Sequence, residues 1–314
     1  MEMTIRSPSG ETADVGEAVS AVTFSDNINK AGILNFSLIG HGPVPEEGSA
    51  VTFKYGGETY FSGFMFKVSK AQQAEVKITA YDQLRYLKAS ETYVFENMTA
   101  SGVLRQICRD FQLKTGTIEE TGYNLGSQIF DGKALLDIIA DCTGMTLTAT
   151  KRMYFIKDNA GAIELRSIEN MVTDLCIDPE SLLYGYSYDR SIDGDTYNQI
   201  KLVRDNDESG LRELYVTRDS ANIKKWGLLQ YYEKADAAMN AAQLREKANA
   251  MLELKNRVGQ KLSVSVIGDR RVRAGNAVYL SVPDAGIAKY LLCTAAQHTF
   301  SASGYTAKAD FKLV

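Results

Sequence analysis

Leu34-Asn35-Phe36-Ser37-Leu38-Ile39-Gly40 and Leu262-Ser263-Val264-Ser265-Val266-Ile267-Gly268 carry one apolar–polar alternation twice, with four of seven positions identical and two more exchanging one apolar residue for another. The offset is 262 − 34 = 228. Alternation with a period of two marks a strand with one buried face. Gly48-Ser49-Ala50-Val51-Thr52-Phe53 matches Gly275-Asn276-Ala277-Val278-Tyr279-Leu280 at an offset of 227, and Ala80-Tyr81-Asp82 lies opposite Lys308-Ala309-Asp310 at 228. Three matches that hold one offset to within a residue indicate the same β module near each end of the chain.

Further short strands surround these segments. Val19–Phe24, Thr59–Phe66 and Ala74–Ala80 continue the alternation. Gly56-Gly57 predicts a tight hairpin, because glycine takes the positive φ that such turns require. The pattern changes near Ala89. Thr99 or Ser101 caps an expected helix with Val103, Leu104, Ile107, Cys108 and Phe111 at helical spacing. A second helix is expected over residues 134–143, ended by Gly144. Strands are expected at 145–149, 153–156 and 162–165, with Asp158–Gly161 as a turn between the last two. From Leu182 strands resume, broken by a helix at about 235–255. The expected fold class is mainly β with an α/β middle segment. Two similar β-barrel domains, 1–88 and 178–314, flank a small α/β domain at 89–177, and the second barrel carries a helical insertion at about 235–257.

The chain has 314 residues, enough for two or three domains with their own cores. Apolar residues make up 45% and charged residues 24%, an ordinary globular mixture that excludes a disordered or fibrous chain. Thirty-five Lys and Arg face 39 Asp and Glu, a formal charge of −4 that gives no ground for expecting a nucleic-acid or anionic-membrane partner. No run of 18 apolar residues occurs, and the start lacks a signal-peptide core, so a soluble, cytosol-made protein is expected. Cys108, Cys142, Cys176 and Cys293 stand far apart and His41 and His298 are the only histidines, which offers no zinc spacing and reads as buried free thiols.

The motifs of chemistry fail on inspection. Gly126–Lys133 has five residues between its glycines where a phosphate loop has four, and Ala134 stands where a magnesium-binding hydroxyl is needed. Asp205–Gly210 begins like a calcium loop, but Val216 occupies the twelfth position, so a polar hairpin is expected. His298 has no nucleophile near it in sequence and reads as a hydrogen-bonded structural residue. Trp226, Tyr231 and Tyr232 are assigned to a core or interface rather than to a sugar platform. No catalytic residue, metal site or cofactor is expected.

Duplication has a consequence for symmetry. Three chains, each carrying two copies of one barrel, close into a ring of six similar units with true threefold symmetry. The matched loops have opposite signs: Glu46 and Glu47 sit in the first, Arg270, Arg271 and Arg273 in the second. These five residues are the candidate inter-subunit contacts, with one copy abutting the other copy of a neighbour.

Ala80-Tyr81-Asp82-Gln83-Leu84-Arg85-Tyr86-Leu87-Lys88, Tyr93–Ser101, Gly116–Tyr123, Tyr188-Asp189-Arg190-Ser191, Tyr197–Leu202, Gly275–Val278 and His298-Thr299-Phe300 with Tyr305 resemble the YqbQ/XkdQ-like baseplate hub proteins, relatives of phage late control protein D, over most of the chain. The resemblance implies tube-like barrels in a trimeric, non-enzymatic structural hub. Such a hub adapts the hexameric ring of the tail tube protein to a trimeric spike protein among other baseplate proteins, in a contractile phage tail or phage-tail-like bacteriocin. It implies assembly in the bacterial cytoplasm, residence in the baseplate, and no direct contact with nucleic acid or membrane. The alternatives are a cell-wall-degrading enzyme of the same tail, acting through carboxylates that sequence does not single out, and a carbohydrate-binding β protein.

Overall fold

Seven strands form the amino-terminal part: β1 (Glu2–Arg6), β2 (Thr12–Asp14), β3 (Val19–Asn27), β4 (Lys30–Ile39), β5 (Ala50–Tyr55), β6 (Glu58–Lys70) and β7 (Glu75–Tyr81). The computed structural model describes residues 1–40, 45–70, 75–206, 210–235 and 239–312. His41 to Val44, at the start of the acidic loop, and Asp207 to Ser209, within the calcium-loop look-alike, lie outside the described residues. Gly56 and Gly57 take φ of 59° and 81° and turn β5 into β6, as a two-residue hairpin requires. Inward positions of these strands (Met3, Val22, Phe24, Leu34, Phe53, Phe61, Met65 and Ile78) build one apolar core.

A middle segment follows: β8 (Ser90–Glu96), α1 (Ala100–Asp110), β9 (Thr115–Ile118), β10 (Ser127–Ala134), α2 (Leu135–Thr150), β11 (Tyr154–Asp158) and β12 (Ile163–Ser167). Thr99 caps α1 by accepting the Gly102 N–H at 3.2 Å. The second helix runs past its expected end, so Gly144 lies inside it and residues 145–149 are helical, not a strand. Its buried face continues through Cys142, Thr143 and Thr146. Thr143 and Thr146 donate their hydroxyls to the carbonyls of Ile139 and Cys142 four residues back, so the β-branched run stays helical. Lys151, in the left-handed region at φ 61°, ends the helix. Gly132 marks a register shift in β10 rather than a ligand loop. Cys108 and Cys142 are buried between these elements, which pushes both thiols up to about 12.

The remaining elements are β13 (Val172–Ile177), β14 (Leu183–Ser191), β15 (Gln199–Asn206), β16 (Leu211–Arg218), α3 (Ser220–Trp226), β17 (Gln230–Lys234), α4 (Ala241–Lys255), β18 (Gly259–Ile267), β19 (Ala277–Val282), β20 (Ile287–Ser301) and β21 (Gly304–Lys312). The chain divides into two compact units, Met1–Ser187 with Leu262–Val314, and Tyr188–Lys261. The smaller unit pairs β15 with both β16 and β17 and buries Ile200, Leu202, Leu244 and Ala248 as its core. Asn240 and Gln243 form a capping box that starts α4. Cys176 on β13 is exposed, against the expectation that all four thiols are buried.

Within one thirteen-stranded sheet the strand order β3-β4-β7-β6-β5 recurs as β14-β18-β21-β20-β19. The details recur too. Ala50 pairs with Phe64 and Ala277 with Leu292. A register shift lies between Met65 and Lys67, and another between Cys293 and Ala295, 228 positions on. Gly48 donates its N–H to the Met65 carbonyl at 2.8 Å, and Gly275 to the Cys293 carbonyl at 2.8 Å; both glycines have positive φ. The third sequence match is corrected. Phe311 faces Cys293 as Ala80 faces Met65, so the last strands correspond at 231, because the two hairpins turn at different points. Asp82 instead caps the short 3-10 helix Gln83–Lys88, while Asp310 pairs with Ala295 inside β21.

Gly63 sits where β5, β6 and β7 crowd together, and a Cβ there would run into the Tyr81 carbonyl oxygen. Backbone cannot give way cheaply, so Gly63→Ala is expected to destabilise the protein by about 1–3 kcal/mol, read from the urea midpoint.

Candidate assembly surface

Strand β20 is the meeting place of the repeats. Its first half pairs with β19, and Ala295–Phe300 pair antiparallel with Asn27–Val22 of β3. Along β3 the inward positions read Val22, Phe24 and Asp26, all buried, so a carboxylate takes a place that the alternation assigns to an apolar side chain. Its partner is Arg273, in the turn before β19. The Arg273 Nε donates to Asp26 Oδ2, and the Ala274 N–H reaches Asp26 Oδ1 at 3.4 Å. The guanidinium carbon lies 4.7 Å from the centroid of the Phe24 ring. Burial works against the charge on Arg273, but the Asp26 carboxylate outweighs it and holds the guanidinium above its ordinary range.

His298 is fully buried in the same seam, stacked on Phe24 with ring centroids 5.8 Å apart. Its Nδ1 lies 2.8 Å from the Tyr305 hydroxyl. Burial lowers its pKa from 6.5 to about 4, so the ring is neutral at pH 7 and serves as a packed hydrogen-bonding group. Tyr305 and Tyr60 are raised by burial and share a hydrogen bond.

Each arginine of the second loop has an acidic partner within its own chain. Arg270 pairs with Glu58. Arg271 holds Asp269 at 2.6 Å and Asp174 at 2.9 Å, which keeps the Asp269 carboxyl below its usual range. Arg273 holds Asp26. Arg270 and Arg271 retain substantial exposure, and Glu46 and Glu47 are exposed at the matching place before β5. Sequence reasoning missed Asp26, although a lone charge in phase with Val22 and Phe24 was a readable signal. Glu58, Asp174 and Asp269 carried no such mark.

The other motifs resolve as structure. Asp205 is held down to about 2 by Arg212 and Lys234 across the β15–β16 and β15–β17 pairs. Tyr231 packs on the core of the smaller unit while Tyr232, its neighbour on the strand, is exposed, so the two rings do not share a face. Among the described residues no cluster of His, Cys, Asp and Glu could hold a metal ion. Among them, too, no helix is long and apolar enough to cross a membrane.

This arrangement is a fold shared with prophage tail proteins. The 43 kDa tail protein of prophage MuSo2 from Shewanella oneidensis matches over 99% of this chain and 98% of its own, with a TM-score of 0.73 at 11% identity. The chain belongs to the YqbQ-like family, whose sequence profile matches residues 22–312. YqbQ of Bacillus subtilis (strain 168) is 33% identical over 267 residues, covering 84% of this chain and 81% of that protein. The phage-like element PBSX protein XkdQ of the same organism is 32% identical with the same coverage.

Removing one partner of a buried ion pair strands the other charge. Asp26→Ala is therefore expected to cost about 3–5 kcal/mol in urea unfolding, and Asp26→Ala with Arg273→Met to recover most of that loss. His298 gives a pH effect of definite sign. Its folded pKa is depressed, so the unfolded chain binds the proton first, and stability present above pH 6.5 falls as pH drops toward about 4. Over that range His298→Gln, which cannot titrate, is expected to lose about 3 kcal/mol less than the wild type.

Proposed function

We propose that this chain is a structural baseplate hub that adapts a sixfold tail tube to a threefold spike. The observation that carries the reading is the recurrence of one strand order, with its bulge and its glycine contact, at an offset of 228 and 227 residues. Residues 1–88 and 178–314 are then two tube-like barrels flanking an α/β domain at 89–177. Three chains present six such barrels to a hexameric tube ring and three equivalent faces to a trimeric spike. Resemblance to tail proteins in fold, and membership of a family that includes a protein of a phage-like element, support the same assignment.

Assembly, not chemistry, is the role in this reading. The buried His298 is neutral and enclosed, and the arginines of the second loop are engaged by carboxylates of the same chain. The particle is a contractile tail or a phage-tail-like bacteriocin, built in the bacterial cytoplasm with the hub at its baseplate. Arg270, Arg271, Glu46 and Glu47 remain candidates for its contacts with neighbouring subunits.

Electron microscopy of the intact particle tests this. Three copies in one ring between tube and spike are expected. A ring of six copies, a single copy, or a position outside the baseplate would overturn the assignment.

A further inference from the structure

The two repeats differ in what joins their first two equivalent strands. In the first repeat β3 turns into β4 through Ile28 and Asn29, with Asn27 paired to Lys30. In the second, the chain between the equivalent strands β14 and β18 forms the body of the smaller unit, Tyr188–Lys261. A surface on this unit is therefore offered once per chain, whereas the repeated strand order is offered twice.

Within the smaller unit β15 lies between β16 and β17, and the sheet has two unlike faces. On the inner face Ile200 and Leu202 enter the core, and the charges beside them neutralise one another: Arg204 holds Glu213 at 2.6 Å and Lys247 holds Glu233 at 2.6 Å. The alternate positions form the outer face. There Gln199 pairs across the ladders with Arg218 and Gln230, Lys201 with Val216 and Tyr232, Val203 with Leu214 and Lys234, and Asp205 with Arg212. Leu214, Val216 and Tyr232 are 59%, 52% and 53% exposed. Among the described residues, four cations (Lys201, Arg212, Arg218 and Lys234) share this face with one carboxylate, Asp205. Asp205 engages Arg212 and Lys234, and no acidic partner among the described residues engages Lys201 or Arg218.

We infer that this face docks an acidic surface of another protein of the particle, one partner for each copy of this chain. The inference rests on the hub reading above and adds a contact that follows its threefold count, not its sixfold one. Large apolar side chains gathered on the outside of a sheet mark an interaction site, since the unit's own core makes no use of them. An apolar centre rimmed by charge is the anatomy of a protein–protein interface, and the excess of cations calls for a partner of the opposite sign. A nucleic-acid backbone is the poorer match. It is held through many phosphate contacts, and only two cations here are unengaged.

The test uses the assembled particle. Val216→p-benzoylphenylalanine, irradiated in place, is expected to give an adduct with an Asp- and Glu-rich segment of a protein present in the same copy number as this chain. Lys201→Glu with Arg218→Glu is expected to lower the yield of that adduct about tenfold or more, and Lys201→Gln with Arg218→Gln to lower it less, with the urea midpoint of the free chain unchanged in both. In a particle that contains a threefold ring of this chain, four results overturn the docking and leave the hub assignment standing. These are no adduct, an adduct with nucleic acid or lipid, an adduct with the sixfold tube protein or a second copy of this chain, and a yield that ignores both double variants. A particle with no such ring overturns the assignment and the docking with it.

Discussion

A buried ion pair between Asp26 and Arg273 joins parts of the chain 247 residues apart, and the arrangement of the larger unit depends on it. Two charges enclosed beneath a sheet seam are stable only if each satisfies the other. The pair therefore fixes which register β3 can adopt against β20. A slip of one residue would turn Asp26 to the opposite face and leave Arg273 without its partner. Phe24 under the guanidinium and His298 stacked on Phe24 extend this constraint along the strand.

The seam explains why a duplicated module need not behave as two independent domains. Sheet hydrogen bonds run without a break from β18 through β20 and β3 to β5. One copy thus pairs with the other through β20 and β3 inside a single chain.

Much of the strand pattern was legible because alternation reports burial directly. The matches at Leu34 and Leu262, and at Gly48 and Gly275, lie on equivalent strands and turns of the two repeats. What failed depended on information that is not local. Gly144 read as a helix end, yet α2 continues because threonine hydroxyls bond back along the helix and its face stays buried. Strands β1 and β2 passed unnoticed, being short and carrying a weak pattern. Asp82 and Asp310 coincided in spacing but not in structure, since hairpin geometry moves the last strand by three residues. The loop charges were visible from the start. Their partners were not, because Asp26 is placed by sheet register rather than by proximity along the chain.

Amide hydrogen exchange, comparing the wild-type chain with Asp26→Ala, tests the role of the Asp26–Arg273 ion pair most directly. Residues Val22–Asn27 and Ala295–Phe300 should be protected in the wild type, because their seam is closed within the chain. In Asp26→Ala these amides should exchange markedly faster, while those of β15 and β16 keep their protection. If the seam amides exchange as slowly in Asp26→Ala as in the wild type, the ion pair does not hold β3 against β20.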